Sequence, residues 1–157
     1  MSSDPPPTIE QIGASLADAL ADAIPRWVEA SIDRLVRAWT GREPDAEVRV
    51  AAADAARLAG VEVMPKLRAL LASDIDEQRT TPLAVVREAV RYPAAVLRSA
   101  GVPAVERDRF AEEAFPDDDY DLTPASLADV DPTLADLGLA WGAAKAWEHR
   151  RRHEHQP

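Results

Sequence analysis

Apolar side chains recur at Ile9, Ile12, Leu16, Leu20, Ile24, Trp27, Val28, Ile32, Leu35, Val36 and Trp39, with Asp18, Asp22, Arg26, Glu29, Asp33 and Arg37 between them. Steps of three and four held from Ile9 to Trp39 predict one long amphipathic N-terminal helix. Thr8 and Gln11 have capping-box spacing at its start, and Gly41 stands where a left-handed residue would end it. Pro25 removes one backbone hydrogen bond, but the apolar phase runs through it, so the expectation is one helix kinked at Pro25 rather than two.

Beyond Gly41 the pattern becomes more broken. The stretch from Asp45 to Ser73 carries Gly60 near its centre and Pro65 soon after, which predicts two helices, Asp45 to Ala59 and Val63 to Ala72. Ser73 to Thr80 reads as a polar connector. Proline then recurs as a start signal, at Thr81-Pro82, Tyr92-Pro93, Thr123-Pro124 and Asp131-Pro132, after a Thr or Asp cap in three of the four. Proline fits the first helical position because its missing N–H would have no partner there. Short helices are therefore expected at Pro82 to Tyr92, Pro93 to Ala100, Ala104 to Phe115, Pro124 to Asp129, Pro132 to Leu137 and Leu139 to Arg151. Gly101-Val102-Pro103 supplies a strong stop and Gly138 a weaker one.

Composition narrows the fold class. Of 157 residues 46% are apolar, but 31 are Ala, against 34 Leu, Ile, Val and Phe together. A core this thin suits small helices in close approach better than a sheet of β-branched residues. The expectation is an all-α, irregular multi-helix domain over residues 8–148, preceded by a disordered Pro-rich tail at 1–7 and followed by a basic, His-containing tail at 149–157. Residues 1–7 lack the basic and apolar regions of a signal peptide, and no apolar run is long enough to span a bilayer. Those two features set the cytoplasm as the expected location and no membrane as a partner. The absence of cysteine removes disulfides, Cys-based zinc sites and thiol chemistry.

The net charge of −10 is local, with −8 of it between residues 102 and 147. No basic residue stands between Arg109 and Lys145, while Glu112, Glu113, Asp117, Asp118, Asp119, Asp121, Asp129, Asp131 and Asp136 do. Within that block, Asp117, Asp118, Asp119 and Asp121 could hold a hard divalent cation through oxygen ligands, for binding alone or for cation-dependent hydrolysis, provided they converge with Glu112 or Glu113. An EF-hand counted from Asp117 would need Gly at 122 and Glu at 128, where the chain has Leu122 and Ala128. The reading preferred here is a proline-bounded acidic turn anchored by inward-packing Tyr120 and Leu122. Its surface would attract a basic protein partner and repel nucleic acid.

The histidines all lie in the last nine residues. His149 and His153 are spaced to share a helical face and a metal ion, although basic residues at a helix C-terminus also complement the macrodipole. Arg150, Arg151 and Arg152 make a short positive point, which offers a nucleic-acid contact as a further alternative that the overall charge disfavours. The small residues from Gly138 to Ala146 suggest close helix packing, and Trp27, Trp39, Trp141 and Trp147 core or interface anchors. No phosphate-binding glycine loop, nucleophile elbow or metalloprotease motif occurs, and no cofactor is indicated. The expectation is a small helical binding or regulatory module without catalysis, its partner-binding candidates being Asp117, Asp118, Asp119, Tyr120, Asp121, Trp27 and Trp39. A homodimer through the N-terminal helix would make use of its amphipathic face.

Overall fold

The computed structural model describes residues 6–73, 80–116 and 118–154, and all regular structure within them is helical. The disordered tail expected at the N-terminus therefore falls mostly outside the described residues, as does the connector from 74 to 79. Helix α1 runs from Ile9 to Thr40, 32 residues without a break at Pro25. Its start is the capping box: Gln11 N–H donates to Thr8 Oγ1 at 3.1 Å, and Thr8 N–H donates to Gln11 Oε1 at 2.9 Å. Gly41 ends it at φ 71°, donating its N–H to the Arg37 carbonyl at 2.8 Å. Leu16, Leu20, Ile24, Val28, Ile32 and Val36 form one buried stripe along it.

Helix α2, Ala46–Ala72, is one element where the sequence predicts two. Asp45 caps it by accepting from Val48 N–H at 2.9 Å, and neither Gly60 nor Pro65 interrupts it. The physical reason is packing. Ala52, Ala55, Ala56, Ala59, Val63, Leu67 and Leu71 keep a single helical phase and are all buried, and the alanines bring α2 close against α1, the most extensive helix pair in the protein. Pro65 lies on the solvent side of α2, as does Val61, whose carbonyl the proline leaves without its intrahelical donor.

Residues 82–99 form a bent run: α3 (Pro82–Arg87), a 3₁₀ turn (Glu88–Val90) and α4 (Arg91–Ser99). Thr81 caps α3 with Pro82 at its first position, as expected. Pro93 is not a start but the third residue of α4, still within the turn whose N–H groups need no helical partner. α4 closes in a Schellman motif: Val102 N–H donates to Leu97 O at 3.0 Å and Gly101 N–H to Arg98 O at 3.1 Å, with Gly101 at φ 80°.

The second half departs further from expectation. The helix predicted from Ala104 begins only at α5, Arg109–Ala114, because Val105 N–H donates to Asp119 O at 2.8 Å and ties the preceding strand of chain to the acidic loop. Pro124 starts no helix; a 3₁₀ turn at Leu127–Asp129 follows it. The two helices expected around Gly138 are one, α6, Leu134–Glu154, which also continues into the predicted tail. Leu127 packs close over Gly138, where a Cβ would lie 2.8 Å from Leu127 Cδ1 and push that methyl aside. Only the first half of α6 packs on the body, burying Leu134 and Trp141 against α1. Among the described residues no helix is long and apolar enough to cross a membrane.

Candidate functional site

The acidic loop is held together by one of its own carboxylates. Asp118 is 3% exposed. Its Oδ1 accepts from Leu122 N–H at 3.0 Å and Tyr120 N–H at 3.3 Å; its Oδ2 accepts from Thr123 N–H at 2.6 Å and the Thr123 hydroxyl at 2.5 Å. Burial pushes the Asp118 carboxyl up, but the donors from Leu122, Thr123 and Tyr120 together outweigh it and hold the group below its ordinary value. Asp119 turns outward to Arg98, 2.8 Å from Nη2, while Tyr120 is buried and donates its hydroxyl to Val102 O at 2.8 Å. Leu122 is buried beside it, and Asp121 is exposed with a left-handed φ of 55°.

These directions decide what the loop can do chemically. Asp118 points in, Asp119 sits in an ion pair, Asp121 faces solvent, and Glu113 pairs with Arg109 at 3.1 Å on α5. Asp117 lies outside the described residues. Among the described residues, Asp118, Asp119 and Asp121 do not converge with Glu112 or Glu113, and no group of three His, Asp or Glu residues is gathered for a metal. The loop is a clasp that ties residues 118–123 to the end of α4 and the chain that follows it.

The remaining sequence candidates are dispersed. His149 and His153 do share a face of α6, with ring centroids 4.3 Å apart and a 54° tilt. Glu154 is exposed and His155 lies outside the described residues. Arg151 and Arg152 both reach Glu148, which the Arg151 hydrogen bond holds below the usual carboxylate range, and Arg151 also sits 5.6 Å from the Trp147 ring centre. Trp27 is half-buried, Trp39 is 60% exposed, and Trp141 is buried beside Gly13. The apolar stripe of α1 offered for self-pairing is covered by α2, α4 and α6 of its own protomer.

One surface was missed by the sequence reading. α6 presents Asp136, Leu139, Ala140, Ala143, Ala146, Trp147 and Arg150 on the side facing away from the body, all exposed, with Leu139 at 74% and Trp147 at 58%. Beside this ridge lies an apolar groove of about 450 Å³ between α6, the start of α3 and residues 125–128, lined by Leu16, Pro82, Leu127, Leu139 and Trp141. The small residues of this segment suggest close helix packing without saying against what. The usable signal was the spacing of Asp136 and Arg150 about the small stretch.

Compared with known proteins, the chain matches no family model, no curated protein and no solved structure.

Proposed function

We propose that this chain is a non-catalytic helical module that acts by binding a protein partner, and that its binding surface is the outward face of α6 with the adjoining groove. The observation that carries this reading is the exposure of Leu139 and Trp147 on a helix whose inner face is already packed on α1. Exposed side chains of this size, aligned on one ridge and next to an apolar groove, are what protein interfaces bury at their centres. The acidic loop supports the same reading from the other side. Its buried carboxylate is fully engaged by Tyr120, Leu122 and Thr123, so the loop shapes the surface instead of offering a reactive group.

A photo-crosslinking side chain at position 139, compared with one at the exposed Arg57 position of α2, tests this. The expected result is a protein adduct formed in cells from 139 and not from 57, lost when Trp147→Asp is added. Equal labelling from both positions, or none from 139, overturns it.

A further inference from the structure

We infer that the partner seated on α6 is a second copy of the same chain, laid antiparallel about a two-fold axis through Ala143. This rests on the binding-module reading above and adds the identity of the occupant. Asp136, Leu139, Ala143, Ala146 and Arg150 follow one another at alternating steps of three and four, so they form a single seam along the helix. A two-fold axis at Ala143 brings together residues equally far from it in sequence. Asp136 then faces Arg150, Leu139 faces Trp147, Ala140 faces Ala146, and Ala143 meets its own copy.

Each of these meetings is complementary. Asp136 and Arg150 are exposed, and neither makes an ion pair within the protomer among the described residues, whereas the neighbouring Arg151 and Arg152 are drawn to Glu148. The two large apolar side chains cover one another across the seam, once on each side of the axis. Alanines occupy the centre, where the helices approach most closely. A parallel pair would set Asp136 on Asp136 and Arg150 on Arg150, with the helix dipoles aligned, so charge selects the antiparallel arrangement. Self-complementarity of one patch is the condition for a closed two-fold dimer.

The seam from Asp136 to Arg150 is about 21 Å long at 1.5 Å per residue. An interface of that length stays below the roughly 1,200–2,000 Å² of a standard complex, so the dimer should be concentration-dependent, with Kd on the order of micromolar.

Sedimentation equilibrium of the full chain, with far-UV circular dichroism confirming the fold of each variant, provides the test. Wild type should be dimeric at about 100 µM; Asp136→Arg and Arg150→Asp should each weaken the dimer by at least about tenfold through two like-charge contacts. The double variant carrying both reversals should regain it. Ala143→Glu, which places two carboxylates on the axis, should be monomeric. A wild-type monomer at that concentration, single reversals without effect, or a double variant no better than the singles would overturn the proposal. A monomer whose position 139 still crosslinks a different protein would overturn self-pairing while leaving the binding-module reading in place.

Discussion

Replacing Asp118 with Asn tests whether one buried carboxylate organises the acidic loop. The substitution preserves shape and removes charge. Both carboxylate oxygens face donors in the native loop, Oδ1 the N–H groups of Tyr120 and Leu122, Oδ2 the N–H and hydroxyl of Thr123. An amide carries an oxygen on one side only, so in either orientation its NH₂ confronts at least one backbone N–H. Thr123 Oγ1 can rotate to accept, but a backbone N–H cannot. One orientation leaves Thr123 N–H unpaired and the other leaves two donors unpaired. A buried donor without a partner costs about 1–3 kcal/mol, and the loss of charge weakens the bonds that survive, for a total of about 2–4 kcal/mol.

Urea unfolding of Asp118→Asn at pH 7, followed by circular dichroism, should show this as a midpoint lower by about 1–2 M at an m-value of about 2 kcal/mol/M. The pH dependence gives a second readout. The Asp118 carboxyl is held below its ordinary value of 3.8, so its contribution is present in full above that value and is lost as pH falls through the lower native one. Below it the wild-type side chain is protonated and resembles Asn, so the gap between the two proteins should close in acid. A gap under about 0.5 kcal/mol at pH 7, or one that persists unchanged in acid, would show that the Asp118 charge does not organise the loop.

Three further outcomes follow from the structure. Tyr120→Phe removes the hydroxyl that donates to Val102 O at 2.8 Å and should lower stability by about 1–2 kcal/mol by urea unfolding, with no loss of helix content. Gly60→Ala adds a Cβ that meets nothing within 4 Å in the middle of α2 and should raise stability by about 0.5–1 kcal/mol in the same assay. Leu20→Ala empties a fully buried position on the central stripe of α1 and should cost about 2–5 kcal/mol, seen as a large drop in the thermal midpoint.

The elements legible in the sequence were those whose signals are local. Thr8 and Gln11 name the start of α1, Gly41 its end, and the apolar phase across Pro25 its continuity. Gly60, Pro65 and Gly138 misled because glycine and proline mark breaks only when packing does not oppose them. Pro65 frees a carbonyl on the exposed side of α2, and Gly138 makes room for Leu127 from another part of the chain, neither of which adjacent residues reveal. In the acidic loop, the burial of Tyr120 and Leu122 was readable as anchoring. Which aspartate points inward was not, since identical side chains stand next to one another and only Asp118 reaches the N–H groups of 120, 122 and 123. The exposed face of α6 was hidden for a related reason. Leucine, alanine, glycine and tryptophan occur all round that helix, so periodicity cannot say which side meets α1.

The absence of native cysteine makes a single introduced thiol a clean reporter of whether α6 is covered. The most direct measurement is the rate of maleimide labelling of Ala143→Cys inside cells, set against Ala53→Cys on the exposed side of α2, and against both in dilute purified protein. Ala143 and Ala53 are both exposed in the protomer. The two thiols should react at comparable rates in dilute protein, with selective protection of position 143 in cells. Equal labelling of both positions in cells would contradict the claim that the outward face of α6 is a binding surface.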